Sequence, residues 1–357
     1  MIKGKFSIIV PAHQLIKRLD GKYELEACLD SILDQDYKNY EIIVVANGDN
    51  RFDITKFIVD QYGSEISCLG MEEGNVCVAR NEGQKLTHGE FYTFFSSDFV
   101  MYPGTLRLWK EAFDANPEAI MVYSGYDFTE GGKPTGQRLR TFPFDRYKLE
   151  CFNYIDGGMP VRASAYKPWD VDCKALNDWD WVLSLTDKGE KAVMIPDIGY
   201  SAEVPKGGGL SDYSHHHWQE LKDYIQKKHS IKKHKWVFAS LGAPYHGEKT
   251  AKNYNEAFLP MPSYKPHDFN AVILLGYYVL GGNQQYHNDV FLNAKPGAMR
   301  CIHWIGTDIA QMMAIDWTWN KNCVHVLNEY INLHLAECKF TQIELKEMGI
   351  RAKILPL

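Results

Sequence analysis

The sequence predicts an α/β protein of two domains, residues 1–230 and 231–357, each built on a largely parallel sheet. Three observations carry that expectation. Short β-branched runs, Phe6 to Val10 and Glu41 to Val45, flank a stretch in which Leu25, Leu29, Ile32 and Leu33 recur at helical spacing. A crossover of that length makes the two strands parallel and right-handed, so Pro11-Ala12 and Ala46-Asn47 end at one edge of the sheet. After a basic run, Lys227 to Lys235, strand-like runs resume and read as a second α/β unit.

Further elements follow in order. A helix is predicted from Val76 to Leu86, leading into an apolar strand, Phe91 to Phe95, with Ser96-Ser97-Asp98 at its end. A helix from Pro103 to Phe113 and a strand from Ala119 to Ser124 come next, and the glycines and proline of Thr129 to Gly136 read as a turn between strands. Asp178 to Leu185 reads as a helix capped by Asn177 or Asp178. A loop rich in glycine, Lys206 to Ser211, closes the first region. In the second, strands are expected at Trp236 to Ala239, Ala271 to Leu275, Arg300 to Trp304, Asn322 to Leu327 and Ala352 to Leu355. No Gly-x-Gly-x-x-Gly turn accompanies them, which excludes a dinucleotide fingerprint.

Composition narrows the partners. A net charge of -6 gives no basic excess for nucleic acid, so no nucleic-acid partner is expected. The 8 cysteines form no Cys-x-x-Cys pair, which argues against a zinc cluster or redox motif and fits a reducing cytoplasm. The amino terminus runs into a strand without a signal-peptide pattern, and the longest apolar run, Ala271 to Leu280, is half of a membrane span. The basic run Lys227 to Lys235 reads as a solvated helix end or linker; attraction to an anionic acceptor, or peripheral contact with a membrane, is its other reading.

Five segments in fixed order carry the chemistry: Ser7 to Ala12, Glu41 to Gly48, Ala79-Arg80-Asn81-Glu82-Gly83, Phe94 to Asp98, and Asn177-Asp178-Trp179-Asp180. On these motifs residues 6 to about 215 resemble the GT-A domain of family 2 inverting glycosyltransferases, a Rossmann-like mixed sheet. The resemblance implies transfer of a sugar from a nucleotide donor, most simply UDP-linked, to a glycan, polymer or other hydroxyl acceptor. It further implies a nucleotide clamp, a divalent cation for the leaving diphosphate and a base for the acceptor hydroxyl.

Each role has a candidate by resemblance. Pro11, Ala12 and Asn47 correspond to the nucleotide pocket, an amide being able to pair with uracil by offering donor and acceptor together. Arg80 corresponds to an arginine near the nucleotide and its phosphates, where a guanidinium suits charge and bidentate geometry. Asn81 and Gly83 are expected to serve helix-to-sheet packing. Ser96-Ser97-Asp98 stands where the family has Asp-x-Asp. Ser96 and Ser97 are donor-side contacts, and Asp98 is the carboxylate left to hold Mn²⁺ or Mg²⁺, since a hard dication accepts waters and diphosphate oxygens as further ligands. Asp178 matches the aspartate of the family's Glu-Asp motif, with Asn177 in place of glutamate, and is the expected base; Asp180 competes with it, and only one of two residues so spaced should face the donor. His215 in the run His215 to His217 is an additional metal candidate, and Trp179, Trp181 and Trp218 belong either to a core or to a sugar-stacking surface.

Residues 235 to 357 resemble, more weakly, the amino-terminal half of a GT-B glycosyltransferase. The nucleotide-binding half of such an enzyme does not follow, so a fragment of a longer, bifunctional transferase is expected. Two other functions compete. Loss of the first carboxylate at Ser96 admits a non-catalytic module that binds glycan or nucleotide sugar. A nucleotidyltransferase also uses an α/β sheet and a metal, but Pro11-Ala12-His13-Gln14 lacks its phosphate loop.

Overall fold

The protein is described as a computed structural model covering residues 1–13, 16–48, 52–139, 141–204 and 210–231, and in the second half 236–239, 244–254, 256–259, 269–275, 294, 297–304, 327, 331–336 and 339–354. The chain divides into two compact units, Met1–Ile231 and Lys232–Leu357.

The first unit is organised by a seven-stranded sheet. Strands β1 (Ile2–Ala12), β2 (Tyr40–Asn47) and β3 (Ile66–Met71) run parallel, and β4 (Gly89–Phe94) lies parallel to β1 on its other side. The register pairs Ala12 with Ala46 and Ile9 with Phe94, so the carboxyl ends of β1, β2 and β4 share one edge. Beyond β4 come β9 (Val161–Arg162), antiparallel to its neighbours, then β6 (Ala119–Tyr123) and β10 (Lys191–Met194). The sheet is therefore mixed. A second sheet has four strands in the order β5 (Phe99–Met101), β11 (Tyr200–Glu203), β7 (Tyr126–Glu130) and β8 (Lys133–Leu139), of which β5 follows β4 directly in sequence.

Both faces of the large sheet are packed. Helix α1 (Glu24–Leu33) buries Leu25, Cys28, Leu29 and Ile32 on the predicted stripe. Helix α3 (Val76–Gln84) approaches β1 and β2 closely, because a β-carbon on Gly83 would stand 2.6 Å from Ile9 and 2.9 Å from Val45; this position admits only glycine without displacement. Phe6, Phe91 and Phe113 of α4 (Thr105–Ala115) stack in series, with Phe91 and Phe113 4.3 Å apart. Elsewhere Phe94 meets Trp169 and Trp181 edge-on while those two indoles stack at 4.2 Å. Trp179 and Trp181 are thus core residues, not a sugar-stacking surface.

Three local expectations are corrected. The region Thr129 to Gly136 is not one long turn: Gly131-Gly132 alone turns, both at positive φ, and Lys133–Leu139 is a strand. The amino-terminal cap of α6 (Asn177–Leu185) is Leu176 in the left-handed conformation, with no side-chain cap bond, in place of Asn177 or Asp178. Asn81 does not pack helix to sheet. It exchanges hydrogen bonds with both backbone groups of Trp169 at 2.8 and 2.9 Å and accepts one from the Tyr166 hydroxyl, pinning a distant loop.

The second unit holds a six-stranded, all-parallel sheet in the order β13 (Ala257–Leu259), β12 (Trp236–Ala239), β14 (Ala271–Leu275), β15 (Met299–Trp304), β16 (Leu333–Ala336), β17 (Ala352–Ile354). The order reverses once, between β13 and β14, as in doubly wound sheets. Its central strand β14 is a continuous apolar run, Ala271 to Leu275 being buried throughout, which suits a strand covered on both faces. The strand expected at Asn322 to Leu327 lies, apart from Leu327, outside the described residues.

Candidate active site

The carboxyl edge of β1, β2 and β4 gathers most of the expected residues. Pro11 and Ala12 are buried in the last turn of β1. The His13 imidazole Nδ1 donates to the Asn47 carbonyl at 2.5 Å and lies against Gly48 and Gly74, joining the ends of β1 and β2. Asn47 itself is 3% exposed, and its side-chain oxygen accepts from the Asn75 N–H at 2.9 Å. Its amide serves the chain's own backbone. That bond engages the acceptor half of the donor-and-acceptor pair expected to meet uracil.

Arg80 is engaged within the fold as well. It sits in the interior, 7% exposed, with its guanidinium 4.0 Å from the Trp169 ring and one amino group donating to the Asn177 side-chain oxygen at 2.8 Å. Its Nε has no hydrogen-bond partner. The arginine thus braces α6 from α3, within electrostatic reach of Asp156 and Asp178.

Asp98 follows β4, and its backbone oxygen accepts from Glu203 N–H at the end of β11. Burial, with Glu24, Asp156 and Glu203 nearby, pushes its carboxyl up to about 7, against the pull of its own backbone N–H. Ser96 and Ser97 precede it, both partly exposed. The Cys28 thiol from α1 lies 3.6 Å from the Ser96 carbonyl, and burial together with the Asp98 charge drives that thiol well above its ordinary range.

Asp178 occupies the first turn of α6, half-buried, and accepts from the Asn153 side-chain amide at 2.8 Å. Burial and the neighbouring Asp156 raise its carboxyl to about 6, while the Trp179 N–H, Arg80 and Asn153 oppose the shift. Asp180 does not join this group. It is 1% exposed and ion-paired with Lys228 and His229, at 2.8 Å each, on the other side of the helix. His215 has no described side chain, and Lys206 to Gly209 lie outside the described residues. His217 is exposed, stacked on Tyr213 and 3.3 Å from Glu220.

Asp156 was missed by the sequence reading. Its Oδ1 accepts from Gly158 N–H at 2.7 Å and from the Tyr200 hydroxyl at 2.9 Å, and burial raises its carboxyl. The two glycines after it make the corner: a β-carbon on Gly157 would stand 2.6 Å from Trp169 and 3.2 Å from Cβ of Asp178, and one on Gly158 would stand 3.1 Å from the Phe99 ring. Asp156-Gly157-Gly158 was the available signal, an acidic residue before a glycine pair in an otherwise aromatic stretch. Three carboxylates, Asp98, Asp156 and Asp178, therefore share one electrostatic environment, with Arg80 buried behind it.

A divalent cation suits the chemistry of Asp98, a carboxylate whose proton affinity is raised by burial and by other negative charge, which a cation would offset, with two hydroxyls beside it in sequence. Among the described residues, however, no group of three or more His, Cys, Asp or Glu side chains is disposed to hold a metal. A site here would depend on one protein carboxylate and on oxygens of the substrate.

Residues 7–169 match the sequence profile of glycosyl transferase family 2. The matched segment lies within the first unit. An uncharacterised glycosyltransferase of Rickettsia prowazekii is 33% identical over 125 residues, 35% of this chain and 37% of that protein. Glycosyltransferase GlyA of Streptococcus pneumoniae is 32% identical over 134 residues, 36% of this chain and 18% of that protein. The match thus spans well under half of each relative. Among solved structures, S. aureus TarS 1-349 shares 17% identity at a TM-score of 0.47, covering 63% of this chain and 65% of that one. The mannosyltransferase PcManGT of Pyrobaculum calidifontis, in complex with GDP-Man and Mn²⁺, shares 16% identity at a TM-score of 0.47, covering 91% and 79%. No helix among the described residues is long and apolar enough to cross a membrane.

Proposed function

We propose that the first unit transfers a sugar, with inversion, from a nucleotide sugar to a hydroxyl acceptor on a glycan or polymer. The observation that carries this reading is the half-buried Asp178 carboxylate, raised to about 6 beside Asp156, at the site that also gathers Asp98 and the Arg80 brace. A base with that proton affinity is ionised at neutral pH yet accepts a proton more readily than an ordinary aspartate. Asp178 takes the acceptor's proton as its oxygen attacks the anomeric carbon from the side opposite the leaving diphosphate. Asp98 is the residue that would hold a Mn²⁺ or Mg²⁺ ion, which would supply charge stabilisation to the diphosphate. The half-exposed Ser96 and Ser97 contribute hydroxyls to the donor, and the Pro11-Ala12 backbone lines the nucleotide pocket.

The test is calorimetric titration of UDP- and GDP-linked sugars, with Mn²⁺ and with chelator, followed by nucleotide release in the presence of glycan acceptors. Metal-dependent binding of one donor and acceptor-stimulated release support the reading. Absence of binding to every nucleotide sugar would overturn it. A second reading, donor binding without transfer, is favoured by Ser96 at the position of the first family carboxylate; tight binding with no release under any acceptor would select it.

A further inference from the structure

The helix that carries Asp178 begins from a strained residue. Leu176 has φ 54° and ψ 25°, a left-handed conformation that favours glycine, and its side chain makes no cap bond. Such strain persists only where surrounding contacts over-determine it. Here contacts from three separate segments converge on the next four residues. Arg80 of α3 holds Asn177, Asn153 holds Asp178, and Lys228 and His229, at the end of α8 (Trp218–Lys228), hold Asp180.

The third contact is the deepest. One Asp180 oxygen lies 2.8 Å from His229 Nε2 and the other 2.8 Å from Lys228 Nζ, with the Asp180 and His229 side chains only 1% and 7% exposed. Lys228 also pairs with Asp170, which accepts from the Tyr224 hydroxyl, so α8 is tied down along two turns. Residues two apart on a helix point about 200° from each other. Anchoring Asp180 on one side of the turn therefore fixes the rotation that Asp178 has on the other.

We propose that Asp180 is a positioning residue, whose buried clasp with Lys228 and His229 holds the strained first turn of α6 in the rotation that presents Asp178 to the acceptor. The inference rests on the reading of Asp178 as the base. Asp180 itself touches no substrate, and its neutralisation acts through the placement of its neighbour.

The experiment compares wild type, Asp180→Asn, His229→Gln and the double variant Asp180→Asn/Leu176→Gly, each assayed well below its melting temperature with folding verified by circular dichroism. The expected result is a kcat at least tenfold lower for Asp180→Asn with donor KM within twofold. Leu176→Gly in that background restores kcat at least threefold, because glycine adopts the left-handed turn without strain and needs no clasp. A plain structural ion pair predicts instead a lower melting temperature, unchanged kcat and no rescue, and that pattern overturns the proposal. Should Asp180→Asn not fold, His229→Gln, which keeps the Lys228 pair, carries the same comparison. Hydrogen exchange separates this inference from the proposed function. Faster exchange in the first turn of α6, with β4 unchanged, supports the clasp even if wild type transfers nothing, and unaltered exchange there overturns it.

Discussion

The Arg80 guanidinium donates a 2.8 Å hydrogen bond to the side-chain oxygen of Asn177, the residue immediately before Asp178. The arginine of the Ala-Arg-Asn-x-Gly segment and the asparagine before Asp178 are thus direct partners. The bond ties α3 to the start of α6, and the Arg80 charge acts directly on Asp178. Stacking on Trp169, itself stacked on Trp181, removes the freedom of the guanidinium to swing toward the sheet edge.

Replacing Arg80 should therefore unsettle the fold. Arg80→Met strands the buried Asn177 amide and removes the stacked cation, a loss of about 2–4 kcal/mol. Urea denaturation measures it. An Arg80→Met protein of wild-type stability with weakened donor binding would show that the arginine serves the nucleotide after all.

Asp178→Asn should lower kcat by about 10²- to 10⁴-fold, the usual worth of a general base, with donor affinity retained. In the wild type the active form is the ionised carboxylate, so kcat should rise with pH through about 6 and level off above it. A kcat independent of pH between 5 and 8 would exclude Asp178 as the titrating base.

Asp98 destabilises the metal-free fold at neutral pH. Its carboxyl titrates near its ordinary value of 3.8 when unfolded and at about 7 when folded. The folded state thus binds more protons between those limits, and the stability favoured by the protonated form is lost as pH rises through about 7. Asp98→Asn should raise metal-free stability at pH 8 by about 1–2 kcal/mol while abolishing any stabilisation by Mn²⁺. Thermal melts with Mn²⁺ and with chelator test both halves. An equal Mn²⁺ response in both proteins would remove Asp98 from the cation site.

Gly157→Ala should disturb the base from behind. The added methyl meets the Trp169 ring at 2.6 Å and Asp178 Cβ at 3.2 Å, so one of them must move. Overpacking of this kind costs about 1–3 kcal/mol, and displacement of Asp178 should lower kcat more than it changes donor KM. Wild-type kcat would mean that Trp169 alone yields.

The parallel strands, the α1 stripe and the α3 motif were legible because their signals are local: β-branched runs, helical periodicity, and Gly83 where helix meets sheet. The small sheet was not. Strands β7, β8 and β11 are short, and Lys133–Leu139 is mostly exposed, so no apolar alternation announces it; a buried Glu203 holds its turn instead, through the Gly131 and Gly132 N–H groups. The cap of α6 was misread for a related reason. Leu176 has no propensity for a left-handed turn, and only distant residues hold it there.

By itself the sequence determined the chain's two α/β halves, the sheet edge at which Pro11, Asn47 and Asp98 end, and the family profile that residues 7–169 match, because strand order and motif spacing are properties of the chain read in one dimension. Tertiary structure decided the roles within that frame. It buried Arg80 and Asn47, brought Asp156 beside Asp178, and tied Asp180 to His229, forty-nine residues away. The proton affinity of a carboxylate depends on the water removed from it and on the charges brought near it. Neither is set until the chain has folded.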